Sequence, residues 1–148
     1  MIEVKVEGLK ALQDELLQLP EKVGGKVLQG ALSAAALPIV NDAKARVPQA
    51  HKAYKLYGRG VANPGWLRER VIRKKVKNSS NSAEVIVTVK DKWQSYFWRF
   101  IEFGTSKMPA HPFLRPAFEA KSREALDRFS EKLAAGIEKS IRKLKFRK

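Results

Sequence analysis

The residues able to do chemistry are few, and their spacing points to binding rather than bond-making. Histidine occurs twice, at His51 and His111. Neither has a carboxylate or a second histidine at metal-ligand spacing. Cysteine is absent, which excludes a disulfide framework, thiolate catalysis and Cys-based zinc sites. That absence is consistent with folding in a reducing cytoplasm. There is no H-E-x-x-H, no phosphate-binding glycine loop and no nucleophile elbow. Gly58-Arg59-Gly60 is too short to cradle a phosphate. A carboxylate pair for hydrolysis stays open in principle, but no feature favours one. The expectation is a chain with no catalytic residue, no cofactor and no metal, hence not an enzyme.

Charge is the loudest bulk feature. The 148 residues carry a net charge of +15. Residues 44–77 hold eleven Lys/Arg against the single acid Glu69, and residues 121–148 hold ten against four acids. Such a field favours polyanions: nucleic acid, acidic membrane surfaces or acidic protein partners. A charge run is also what an ordinary solvated face looks like. Lys52, Lys55 and Arg59 interleave with Tyr54 and Tyr57, a pattern able to pair phosphates and stack bases. Arg68, Arg70, Arg73, Lys74 and Lys75 follow on an expected strand. These eight cations are the candidates for contact with DNA or an acidic partner. A flexible surface loop that orders on assembly is the plainer reading of the first three.

Residues 100–118 pack four aromatics, three prolines and one carboxylate, Glu102, into nineteen positions. A buried carboxylate needs a partner. Arg115, a basic residue of a neighbouring subunit, or backbone N–H groups of the turn after Gly104 are the candidates. Gly104 can take the positive φ that ends a helix. Each proline fixes its own φ and biases the preceding residue to extended backbone, so Met108, His111 and Arg115 are expected outside mid-helix geometry. Pro116 falls in a first helical turn, where a missing N–H costs nothing. His111 reads as packed or hydrogen-bonded, not catalytic. The stretch is either a structural turn with core aromatics or a contact loop ordered in advance of assembly. The two readings are compatible.

The elements that would position these residues follow from periodicity. Ile2, Val4 and Val6 alternate as an edge strand, and Leu9, Leu12, Leu16 and Leu19 recur at helical spacing until Pro20. A helix over 21–46 follows, kinked at Pro38 or split there into two. Residues 49–65 read as a basic loop. Strands over 67–76 and 83–89, joined by a polar turn at 78–82, make an antiparallel hairpin. Trp93, Tyr96, Phe97, Phe100 and Ile101 predict a short helix, while Tyr96, Trp98 and Phe100 also alternate as a strand would. Residues 113–145 predict one amphipathic helix, with Leu114, Phe118, Leu126, Phe129, Leu133, Ile137, Ile141 and Leu144 on its apolar stripe. At 1.5 Å per residue it spans about 45 Å, enough for its distal half to meet a neighbour. The fold class expected is α+β: a small antiparallel sheet packed with helices, and a long C-terminal amphipathic helix. Residues 1–148 read as a single domain. No signal-peptide pattern is seen at the N-terminus, no apolar run is judged long enough to span a bilayer, and no membrane partner is expected.

Glu102-Phe103-Gly104-Thr105, followed by Pro109-Ala110-His111-Pro112-Phe113-Leu114-Arg115-Pro116-Ala117, resembles the signature of a tail-component and head–tail connector family of long-tailed, lambdoid-type siphovirus bacteriophages. Gly8-Leu9, the Ala-rich helix ending in Arg46-Val47-Pro48, and Gly65-Trp66-Leu67-Arg68 stand upstream in the order that resemblance implies. It covers most of the chain. The insertion between Pro48 and Gly65 and the very basic C-terminus are less typical of it. What it implies is a virion structural protein, made in the bacterial host cytoplasm. Such a protein forms a homo-oligomeric ring, hexameric to match a tail tube. The ring stands in the neck connector or at the head-proximal end of the tail, in a tail-completion or terminator role. Other connector and tail-tube proteins would be its partners, with DNA in the channel as a non-specific one. Subunit contacts would fall on Glu102, Phe103, Gly104, Thr105, Pro109, His111, Pro112, Phe113, Leu114, Arg115 and Pro116. The alternative from the residues themselves is a basic nucleic-acid-binding protein.

Overall fold

The helices begin and end where backbone chemistry allows. The computed structural model describes residues 8–55, 60–76, 82–90 and 96–147. Helix α1 (Leu9–Leu17) starts at Gly8, whose φ of 86° suits glycine. Pro20 opens α2 (Glu21–Ala35), and its carbonyl accepts the N–H groups of Val23 and Gly24 at 2.8 and 2.9 Å. Helix α3 (Leu37–Arg46) follows after Ala36. The split reading of the 21–46 helix is therefore the right one. Pro38 sits second in α3, where its missing N–H is harmless.

The α2–α3 run corrects one expectation: over its 26 residues it is long and apolar enough to cross a bilayer by composition alone. The charges that break up other stretches sit at its ends. Of its most apolar window, 44% is buried inside the protein.

Residues 49–65 are not a plain loop. Strands β1 (Tyr54–Lys55) and β2 (Val61–Ala62) pair antiparallel, Tyr54 opposite Ala62 and Lys55 opposite Val61. The expected first strand of the next hairpin also needs correcting. Gly65, at φ 87°, starts a helical turn, α4 (Trp66–Glu69), and the strand β3 begins only at Val71 (Val71–Val76). It pairs with β4 (Glu84–Val89). On β4, Glu84 and Ile86 are exposed, Val85, Val87 and Thr88 are half-buried, and Val89 is buried. Helix α5 (Trp98–Phe103) and helix α6 (Leu114–Lys145) complete the order. The fold is α+β, with two small antiparallel sheets and the long C-terminal helix. The expectations for the 2–6 strand, Tyr57, Arg59, most of the 78–82 turn and Trp93 fall outside the described residues.

The chain divides into two compact units. The first combines Met1–Pro38, Lys75–Ile86 and Ser122–Lys148. Its core joins α1, α2 and α6 through Leu19, Ala31, Leu133 and Ile137, with Leu12, Leu16, Val27 and Phe129 packed against them. Gly136 allows the close approach of α6 to α2, since a Cβ there would lie 2.8 Å from Val27 Cγ1. Gln29 Nε2 donates to the Glu84 carbonyl at 3.0 Å, tying α2 to β4. The second unit combines Ile39–Lys74 and Val87–Lys121. Its buried residues include Val40, Ala43, Leu67, Val71, Val89 and Phe113. Lys90 N–H donates to the Arg70 carbonyl at 2.7 Å, where β3 and β4 meet α4.

The α6 stripe differs from its prediction at two places. Ala117 and Ala125 take buried positions, while Phe118 and Leu144 are exposed.

A clamped turn and an aromatic pocket as the candidate contact site

Glu102 is 7% exposed, near the end of α5. Its Oε2 accepts the backbone N–H groups of Phe113 and Leu114 at 2.8 and 3.0 Å, and its Oε1 accepts that of Arg115 at 3.0 Å. These are N–H groups at the start of α6, where a helix has donors with no partner of its own. A carboxylate there also meets the positive end of the helix dipole. Glu102 is thus a remote cap: it solves its own burial and the open end of α6 together. The backbone reading holds, and the pairing with the Arg115 side chain does not. The Arg115 guanidinium turns to Glu119 Oε1, 3.2 Å away, on the exposed surface. Such an exposed pair adds little to stability.

The segment between α5 and α6 is tied down at both ends. Gly104, at φ 73°, donates to the Phe100 carbonyl at 2.8 Å. A Cβ on it would stand 2.8 Å from the Ala110 nitrogen, so no other residue fits without backbone movement. Thr105 and Met108 exchange backbone hydrogen bonds at 2.9 and 3.3 Å, closing a tight turn over Ser106 and Lys107. Thr105 Oγ1 accepts the Lys107 N–H at 3.3 Å. The returning chain is then fixed by His111 N–H to the Ile101 carbonyl at 2.7 Å.

The predicted contact residues separate by burial. Glu102 and Phe113 lie inside, Phe113 at 0% exposure. Gly104, Leu114 and Pro116 are half-buried. Phe103, Thr105, Pro109, His111, Pro112 and Arg115 are exposed, Phe103 to 76%. Of the two readings of His111, packed or hydrogen-bonded, the second fits: the residue is exposed, and its backbone N–H is bonded to Ile101.

The basic candidates are distributed. Lys52 and Lys55 are exposed beside and on β1, and Arg68 is exposed on α4. Arg73, Lys74 and Lys75 are all exposed on β3, so neither face of the strand is covered there. Among the described candidates, Arg70 alone is half-buried, its guanidinium 4.2 Å above the Trp66 ring. Cation–π attraction holds it there.

Sequence reasoning missed a pocket in the second unit. It has a volume of about 320 Å³ and is lined mainly by Pro48, Tyr54, Trp66, Leu67, Phe97 and Ile101. Phe97 stacks on Trp66 with centroids 6.1 Å apart and meets the Tyr54 edge at the same separation. Burial raises the Tyr54 hydroxyl above its ordinary value of 10.0, because the phenolate would lose water. The aromatics were each visible, but they are too far apart in sequence to share a period. Among the described residues, no cluster of His, Asp or Glu is placed to hold a metal.

A family model described as "Bacteriophage HK97-gp10, putative tail-component" matches residues 10–104. That span is more than half of the chain, and it runs from α1 through α5 to the glycine of the clamped turn. Neither the curated proteins nor the solved structures provide a match.

Proposed function

We propose that this chain, which belongs to the HK97-gp10-like family of bacteriophage tail components, is a structural protein of the virion and assembles as a ring at the head–tail junction or the head-proximal end of the tail, in a completion or terminator role. The observation that carries this reading is the clamped turn. Glu102 fixes the start of α6, and the backbone bonds of Gly104, Thr105, Met108 and His111 fix what lies between. Phe103, Thr105, Pro109 and His111 are held outward on that frame. A surface ordered before contact loses little entropy on contact. Within the predicted contact set, Glu102, Gly104 and Phe113 position the surface and the exposed members make it. A hexamer would match a tail tube, and neighbouring connector and tail-tube proteins would meet the two faces of the ring.

A second reading rests on exposed Arg73, Lys74 and Lys75 and the +15 charge. In it, Lys52, Lys55, Arg59 and the β3 cations touch DNA phosphates without sequence preference. Light scattering at low and high salt, with and without duplex DNA, separates the two. A ring that survives high salt and gains no mass with DNA is the expected result. A monomer that gains mass only with DNA at low salt would replace the ring reading by the nucleic-acid one.

A further inference from the structure

The pocket and the most exposed phenylalanine of the clamped turn belong to one short helix. Phe97, at the start of α5, and Ile101 line the pocket. Four residues apart, they share a helix face. Phe103 lies two residues beyond Ile101, about 160° away around the axis at about 100° per residue. It is 76% exposed, and Phe100, one turn earlier on the same face, is 46% exposed. Buried Glu102 stands between the two faces, bonded to α6, so α5 cannot roll to hide Phe103. Phe103 therefore cannot enter the pocket of its own chain.

We infer that Phe103 of one copy seats in the aromatic pocket of the next. This rests on the ring reading above and names its contact. The pocket's size and aromatic lining suit a phenyl ring, which prefers edge and offset contacts with Trp66, Phe97 and Tyr54. Knob and pocket face opposite ways, so two copies cannot satisfy both by a twofold axis. The contact runs head to tail, and head-to-tail contacts close into rings or extend into filaments. The exposed Leu17 and Phe146 are poorer knobs, since each lies at or beyond a helix end with no comparable clamp. Two copies at +15 each repel, so an apolar plug between them tightens as salt screens that charge. A phosphate contact would weaken instead.

The test is sedimentation velocity of the full chain across a salt series, with two variants. Phe103→Ser removes the knob from an exposed position. Ala50→Phe fills the pocket from its wall. The wild-type chain should associate, more tightly in salt. Each variant should lose association about 30-fold or more, as expected for an anchor residue. Mixing the two should restore a one-to-one dimer and nothing larger, because one intact knob meets one intact pocket. Melting curves check that both variants fold; if Ala50→Phe does not, Gln49→Phe, also lining the pocket, replaces it. Variants that associate like the wild type overturn the contact and leave the ring standing. So do variants that stay monomeric when mixed. A wild-type chain that is monomeric at every concentration and salt overturns the contact and the ring together.

Discussion

The clamped turn at residues 102–116 and the basic segment at residues 49–65 are both long connections rich in turn-forming residues, yet they are built on opposite terms. The first has one buried carboxylate, one obligatory glycine and a short chain of backbone hydrogen bonds. The second has two paired strands of two residues each, with Lys52 and Lys55 on its exposed surface. Shape in the first comes from bonds that few substitutions preserve. Character in the second comes from charge, which many substitutions preserve. Stability changes should therefore be large and local in the first segment and small in the basic one.

The largest effect is expected at Glu102. Glu102→Ala strips an acceptor from three N–H groups at the start of α6, and should lower stability by about 3 kcal/mol in urea denaturation. Glu102→Gln keeps one acceptor oxygen and should lose less. A change below about 1 kcal/mol for the alanine variant would mean that water caps α6 equally well.

Gly104→Ala comes next. It forces a side chain onto a positive φ and against the Ala110 backbone, and should cost about 2 kcal/mol. Unlike an exposed loop change, it should also alter hydrogen exchange at His111, whose N–H closes the turn.

Arg73, Lys74 and Lys75 should behave oppositely. Replacing all three by Gln should shift stability by less than about 1 kcal/mol. If DNA is a partner, the slope of log affinity against log salt should shrink by roughly one for each phosphate that is no longer paired.

The smallest effect concerns Tyr54. Its folded pKa lies above 10.0, so the folded state keeps a proton that the unfolded chain gives up. Stability is then intact below about pH 10 and falls as pH rises through the folded value. Tyr54→Phe should flatten that fall, read from denaturation midpoints between about pH 9 and 11.

How much of this was legible in the sequence depended on the kind of signal. Elements with a period were readable: α1, α2 and β4 carry their apolar residues at regular steps. The buried line of α6 was partly hidden because Ala117 and Ala125 occupy it, and alanine gives a weaker hydropathy signal than Phe118, which lies outside it. That Glu102 needs a partner was legible from its aromatic neighbours. Which partner was not, because nearly every residue has an N–H and none marks it as available. Arg115, with a visible charge, drew attention that belonged to its own backbone. The α4 turn was hidden for a local reason. Gly65 sets a positive φ, and a four-residue helix is too short to show a period before β3 begins. The pocket depends on pairs such as Tyr54–Phe97, whose proximity no local pattern encodes.

Among the described residues the β3–β4 sheet has two strands, so each strand has an outer edge of backbone donors and acceptors. Such an edge is a template on which further chains can stack into fibres. On β3 that edge passes through Arg73, Lys74 and Lys75, three adjacent charges exposed on both faces. An incoming strand would have to bring its own chain past all three and strip their water. The cations of β3 act as gatekeepers against such stacking, whatever else they touch.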